Sequence, residues 1–245
     1  MKKLFLVLIF LGLAGSWLRA QSPGPAPLPP NSTVILRRAP AFACWEVTFE
    51  GKPGSASMPG LRSVLLTKTG EIVHEQFRFE NGQAGECWLI GPTQMVRLPG
   101  DRAIKMDLYG KGLPITPYAL NATDFPGFDW VSPQTYTGVK KADGRVYSIF
   151  QKYGTRMEVD EPEMVRFLSD LNAGQSINTG EALPVIAVVD GQTYLPVALH
   201  LGGEVRRYRF LEAPKAMQSL PEEFGAIYRN AMERLRECSK PISPP

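Results

Sequence analysis

Residues 190 to 210 read DGQTYLPVALHLGGEVRRYRF. Apolar and polar residues alternate through both halves, which is the period of a strand with one buried face, and Gly202-Gly203 between them marks a hairpin turn. Leu195, Val197, Leu199 and Leu201 fall on one side, and Tyr208 and Phe210 continue it beyond the turn, while Arg207 and Arg209 point away. Pro196 has no N–H to give to a ladder. It fits a strand start, a bulge or an edge, and not the interior of a regular central strand. A sheet that stays open supplies such edges.

The same alternation extends outward through the chain. In AFACWEVTFE, Trp45, Val47 and Phe49 share one side and Glu46, Thr48 and Glu50 the other. Phe77 and Phe79 alternate with Gln76 and Arg78 ahead of an Asn81-Gly82 turn, and Trp88 and Ile90 form a short alternation that ends at Gly91-Pro92. MVRLPGDRAIKMDLYG reads as two strands joined by Pro99-Gly100-Asp101, and GRVYSIFQKYG and ALPVIAVVD follow. Turn chemistry recurs about every ten residues, the pattern of a meandering antiparallel sheet.

Two stretches switch to helical spacing. Met164, Phe167, Leu168 and Leu171, stopped by Gly174, predict a short inserted helix near 162–172. Ser219-Leu220-Pro221-Glu222 carries a capping hydroxyl, an early proline and an acid three residues on. Phe224, Ile227, Tyr228, Ala231, Leu235 and Cys238 then form one stripe, so the terminal helix is expected to lie on the sheet, facing its aromatic side.

The first twenty residues read as a secretory signal peptide. Lys2 and Lys3 precede an apolar run from Leu4 to Leu13 that is too short to span a bilayer, and the cut falls after Ala20 or after Ser16. Ser16 stands where a lipoprotein signal would need a cysteine, so no lipid anchor is expected. Residues 21–40 begin with five prolines in QSPGPAPLPPNST and read as an extended linker, and 41–240 read as one domain. Removal of the signal with Lys2, Lys3 and Arg19 leaves 24 basic residues against 24 acidic. A balanced surface of this kind does not suit nucleic acid. The expectation is an exported protein, periplasmic or extracellular, that does not span the membrane once the signal is removed.

Cys44, Cys87 and Cys238 in an oxidising compartment predict one disulfide and one free thiol, with the pairing open. The chain's two histidines, His74 and His200, fall on the wet side of their strands. No H-E-x-x-H or C-x-x-C spacing offers a metal site, and no cofactor is implied. The Gly54 to Gly60 stretch lacks the G-x-S-x-G spacing of a nucleophile elbow, and Gly110-Lys111-Gly112 lacks a phosphate loop. Asp107, Asp124, Asp129 and Asp190 are carboxylates from which an acid and base pair could be drawn, although turn capping accounts for Asp129 and Asp190. No catalytic residue is assigned.

Asp190 to Val197, the hairpin after it and Leu220-Pro221-Glu222-Glu223-Phe224 resemble the C-terminal part of the LolA/LolB-like lipoprotein-sorting superfamily. Phe128-Asp129-Trp130 and the region from Tyr136 to Tyr147 are similar to secreted proteins of the same kind, and the resemblance runs over 41–238. It implies an α+β fold in which an antiparallel meander forms an open half-barrel, packed by the C-terminal and inserted helices, with an apolar interior that holds acyl chains in the sorting proteins. The inserted helix and the proline-rich lead-in depart from that pattern, and no residue maps onto a ligand contact of the carriers.

Three functions are therefore expected in turn. The first is a binding protein that accepts an acyl chain or other apolar group on a face built from Trp45, Val47, Phe49, Phe77, Phe79, Trp88, Ile90, Tyr208 and Phe210, residues that serve equally as packing under the helices. The second is an envelope interaction protein that recruits a partner strand at an open edge near Pro196. The third is a hydrolase using a carboxylate pair.

Overall fold

Eleven strands make one antiparallel sheet in the computed structural model, which describes residues 35–51, 60–91, 93–108, 125–160 and 180–238. In chain order these are β1 (Phe42–Gly51), β2 (Leu61–Thr69), β3 (Ile72–Phe79), β4 (Ala84–Ile90), β5 (Thr93–Arg97), β6 (Lys105–Leu108), β7 (Tyr136–Ala142), β8 (Arg145–Gly154), β9 (Leu183–Asp190), β10 (Pro196–Leu201) and β11 (Glu204–Leu211). Their spatial order is β6-β5-β4-β3-β2-β1-β11-β10-β9-β8-β7. Two meanders, β1 to β6 and β7 to β11, thus join through a seam between β1 and β11. The sheet does not close, and β6 and β7 are its edges. The fold is an α+β open half-barrel with helices α1 (Arg156–Asp160) and α2 (Glu222–Cys238).

Side chains directly opposite one another on paired strands share a face, so the register fixes which residues meet. Trp45 lies opposite Leu66 and Phe210, and Val47 opposite Val64 and Tyr208. Val64 in turn lies opposite Phe77, and Leu66 opposite Glu75. Farther round, Arg206 faces Leu199, and Leu199 faces Ala187, which faces Phe150. This is the inner face, and its residues form the main core: Trp45, Val47, Val64, Leu66, Phe77, Leu199, Ala187 and Phe150 are all buried.

A short segment covers the inner face. Phe125 and Phe128, both fully buried, insert their rings, and Val159 of α1 packs with them. α1 starts with a capping box that the sequence reading passed over: the Thr155 N–H donates to Glu158 Oε2 at 2.8 Å, and the Glu158 N–H donates to Thr155 Oγ1 at 3.2 Å. The helix expected at 162–172 lies outside the described residues. Ile35, Leu36 and Ala39, at the end of the stretch read as linker, pack on the core.

The quoted hairpin is β10 and β11. Pro196 is the first residue of β10, and the register with β9 shifts between Pro196 and Ala198, so Val197 bulges. Two of the allowed placements, strand start and bulge, coincide here. The third does not hold: β10 is paired on both sides, by β9 and by β11, and presents no open edge for a partner strand. The turn before it is held by Asp190, whose Oδ1 accepts the backbone N–H of Gln192 at 2.9 Å and of Thr193 at 2.8 Å and the Thr193 hydroxyl at 3.1 Å. Gly191 passes so close to β8 that a Cβ would stand 2.9 Å from the Val146 carbonyl oxygen.

α2 lies on the outer face, opposite to the side that the sequence reading gave it. Phe224 is buried against Trp88 and Met95, with Ile72, Ile90, Ile104, Met106, Leu220, Ile227 and Tyr228 around them. Its first helical residue is Glu222, which leaves Ser219 outside the helix, and the Pro221 carbonyl accepts the Gly225 N–H at 2.9 Å. The side chains of Leu235 and Cys238 lie outside the described residues.

Candidate ligand-binding face

Of the nine residues expected to line a pocket, the structure brings seven together. Trp45, Val47 and Phe49 on β1, Phe77 and Phe79 on β3, and Tyr208 and Phe210 on β11 belong to the inner core or pack against it. Trp88 and Ile90 do not join them. His74 pairs with Trp88 and Ile72 with Ile90 across β3 and β4, which puts both on the outer face under α2, while Cys87 and Leu89 take the inner positions. Cys87, Trp88 and Leu89 are all buried. A strand covered on both faces carries apolar residues of both parities, so alternation does not reveal which side is which.

The centre of the inner face is an aromatic nest. The Phe125 ring stands edge-on to Trp45 at 5.7 Å, to Phe210 at 5.9 Å and to Tyr208 at 6.2 Å, while Trp45 stacks with Phe210 at 6.0 Å. Phe128 meets Tyr208 edge-on at 5.4 Å. Edge-to-face pairs at these separations are the favourable arrangement for π-systems. The segment that delivers the two rings is irregular. Turn bonds from Phe128 N–H to the Phe125 carbonyl at 3.1 Å and from Val131 N–H to the Phe128 carbonyl at 2.9 Å hold it, together with the Trp130 indole N–H on the Gly127 carbonyl at 2.7 Å. Gly127 has φ of +86°, and a Cβ there would lie 2.9 Å from Leu199 Cδ2, so the backbone reaches the sheet only as glycine.

Beside this nest lies a buried ionic group that the sequence reading did not single out. Glu204 and Arg206 point inward from β11, each 1% exposed. Glu204 Oε1 accepts Arg206 Nε at 2.7 Å, and Oε2 accepts Arg156 Nη1 of α1 at 3.0 Å. Burial alone would raise the Glu204 carboxyl; Arg206 and then Arg156 outweigh it and hold it below the ordinary glutamate value. The signal was present in the alternation, because inward Tyr208 and Phe210 place Arg206 and Glu204 on the same side. Arg206 also lies 6.0 Å from the Phe49 ring centre, so its charge has an aromatic neighbour.

His74 and His200, expected to face water, are both half-buried on the outer face, and burial lowers the pKa of each. Cys44 and Cys87 are free thiols on opposite faces, with β2 and β3 between their strands, so these two cannot bridge each other. Asp107 sits on edge strand β6 and Asp190 at the end of β9, with most of the sheet between them, and they form no acid and base pair. Asp124 lies outside the described residues, and Asp129 is exposed beside Trp130. Among the described residues no cluster of metal-ligating side chains occurs, and no helix is long and apolar enough to cross a membrane. A polar recess of about 400 Å³ between Gln76, Arg78, Glu86, Arg97 and Asp101 shares only Phe77 with the candidate face.

No protein-family model and no curated protein sequence matches the chain. Among solved structures it is similar to the lipoprotein LppX of Mycobacterium tuberculosis, at 12% identity over 73% of this chain and 88% of that one, with a TM-score of 0.40. It is also similar to a LolA-superfamily protein of Nitrosomonas europaea, at 11% identity over 76% of this chain and 91% of that one, with a TM-score of 0.29.

Proposed function

We propose that the chain is an exported binding protein whose inner face accepts an acyl chain or a comparable apolar group. One observation carries this reading: the aromatic nest of Trp45, Tyr208 and Phe210 is filled by Phe125 from an irregular segment. A side chain inserted from such a segment is an apolar guest on a short tether. A free apolar guest of similar shape competes for the same place, and burying it gains about 25 cal/mol per Å² of apolar surface. Phe49, Phe79 and Phe210, partly buried at the margin of the core, extend the apolar surface available to it. The apolar run at residues 4–13, headed by Lys2 and Lys3, supports export.

Tryptophan fluorescence tests this. Trp45 lies in the nest and Trp88 lies under α2 on the other face, so a chain without the signal segment, and therefore without Trp17, that carries Trp88→Phe and Trp130→Phe reports on the nest alone. Titration with a long-chain fatty acid or a lysophospholipid is expected to shift Trp45 emission saturably, whereas a Trp45→Phe variant that keeps Trp88 shows little change. Lipid extraction and mass spectrometry of freshly purified protein give the second readout. An emission that stays flat, with no co-purifying lipid, would remove the binding reading and leave the nest as ordinary core.

A further inference from the structure

α2 is attached to the sheet at two levels. The lower level is apolar, Phe224 on Trp88 and Met95. The upper level is a chain of polar contacts that begins in the helix and ends at an imidazole. Glu223 of α2 accepts Arg97 of β5 at 2.7 Å, and Arg97 lies 5.0 Å over the Phe224 ring. Arg97 also donates from Nε and Nη2 to Glu86 Oε1 of β4. The other oxygen of Glu86 accepts the Trp88 indole N–H at 3.1 Å and meets His74 Nε2 of β3 at 3.2 Å. His74 lies flat on Trp88, ring centres 3.9 Å apart and planes 12° apart, and Trp88 contacts Phe224 at 6.2 Å.

We propose that His74 makes the docking of α2 proton-sensitive, with the helix held on the sheet when the imidazole is neutral and loosened when it is protonated. The groups that face His74 are Glu86 and Trp88 from β4 and Thr67 opposite it on β2, with Arg97 of β5 one contact farther on and Glu223 of α2 two. Burial lowers the His74 pKa, and the Glu86 carboxylate, which raises it, does not make up the loss because Arg97 already holds that carboxylate. Phe224 of α2 covers Trp88, and Trp88 covers one face of the His74 ring, so undocking the helix opens the ring to water and the imidazole then binds its proton more readily. Docking is therefore complete above the ordinary histidine value near 6.5 and weakens as pH falls from there toward the lower docked value. Arg97 and the Trp88 indole hold the Glu86 carboxyl below its ordinary value, clear of this window, and His200, the chain's other histidine, sits on β10 next to Arg207, away from α2.

Hydrogen exchange of the 222–238 peptides of the full chain, between pH 7.5 and 5.5 and corrected for intrinsic rates, reads this directly. The β9 peptide 183–190 serves as the internal reference. Protection of α2 relative to β9 is expected to fall at the lower pH by about threefold or more, a tenfold change corresponding to one pKa unit of coupling. His74→Phe, which keeps a ring on Trp88, is expected to abolish the pH dependence, and His200→Phe to leave it in place. If His74→Phe does not fold, the wild-type His74 ring proton is followed by NMR beside the α2 amides, and both must titrate with one midpoint below 6.5. Unchanged α2 protection across this range, an equal loss in His74→Phe, or separate midpoints would overturn the proposal.

Discussion

Phe125 and Glu204 show how differently two fully buried residues can serve one face. Phe125 fills a nest that an apolar guest could take, so Phe125→Ala is expected to lower stability by about 3–5 kcal/mol, as large aromatic truncations do, and at the same time to tighten acyl-ligand binding. Urea unfolding and the Trp45 titration measure the two effects; weaker binding in this variant would show that the ring is a ligand contact instead of a competitor. Glu204 has no such freedom, because it stands between Arg206 and Arg156. Glu204→Ala leaves buried guanidinium charge without its carboxylate, and the expected cost is about 3–5 kcal/mol. The pH dependence has a definite sign. The carboxyl is depressed in the folded state, so its contribution is complete above the ordinary glutamate value near 4.3 and is lost as pH falls through the lower folded value. The acid limb of a stability curve is expected to flatten in Glu204→Gln. Arg206 was legible in principle, since the parity that points Tyr208 inward points it inward too.

At the level of single elements, the turns were legible and the face on which the terminal helix lies was not. The Asp190 turn follows from local chemistry alone: an aspartate, a glycine whose N–H donates to the Val146 carbonyl at 2.8 Å where a Cβ would not fit, and a proline to start the next strand. Asp190→Ala removes three hydrogen bonds to one oxygen and is expected to lower the urea midpoint, by about 1–3 kcal/mol in stability, while leaving the Trp45 titration unchanged. A loss of ligand response in that variant would give Asp190 a part in the site. α2 is the contrasting case. Phe224, Ile227 and Tyr228 of its apolar stripe do pack on the sheet, yet a stripe says that a helix is covered, not by which face of the sheet. The answer lay in β4, where Cys87, Trp88 and Leu89 are all buried; such a continuous run marks a strand covered on both sides, and the extra cover is α2.

For the whole molecule, period-two alternation and recurrent turns disclosed an antiparallel meander but not the order of its strands. Nothing local in the sequence says that β1 pairs with β11, because that pairing depends on two meanders meeting. Residues on the inner face were legible wherever the outer face stayed wet, as on β1, where Glu46 and Glu50 reach Arg209 and Arg207 across the seam at 2.6 and 2.7 Å. The open edges fell elsewhere than Pro196, at β6 and β7 in the middle of the chain.

That seam has a kinetic consequence. Every other strand pair links consecutive strands, whereas the Glu46 to Arg209 contact spans 163 residues, and closing a flexible loop of that size costs about 4–5 kcal/mol in chain entropy beyond a constant. The halves are then expected to zip up early and independently and to wait for each other. In stopped-flow refolding Trp88, inside the first half, should report a fast phase, and Trp45, on the seam, the slow one that limits the rate. Tethering the ends of β1 and β11 with a short linker in a rearranged chain opened between β6 and β7 should erase that delay.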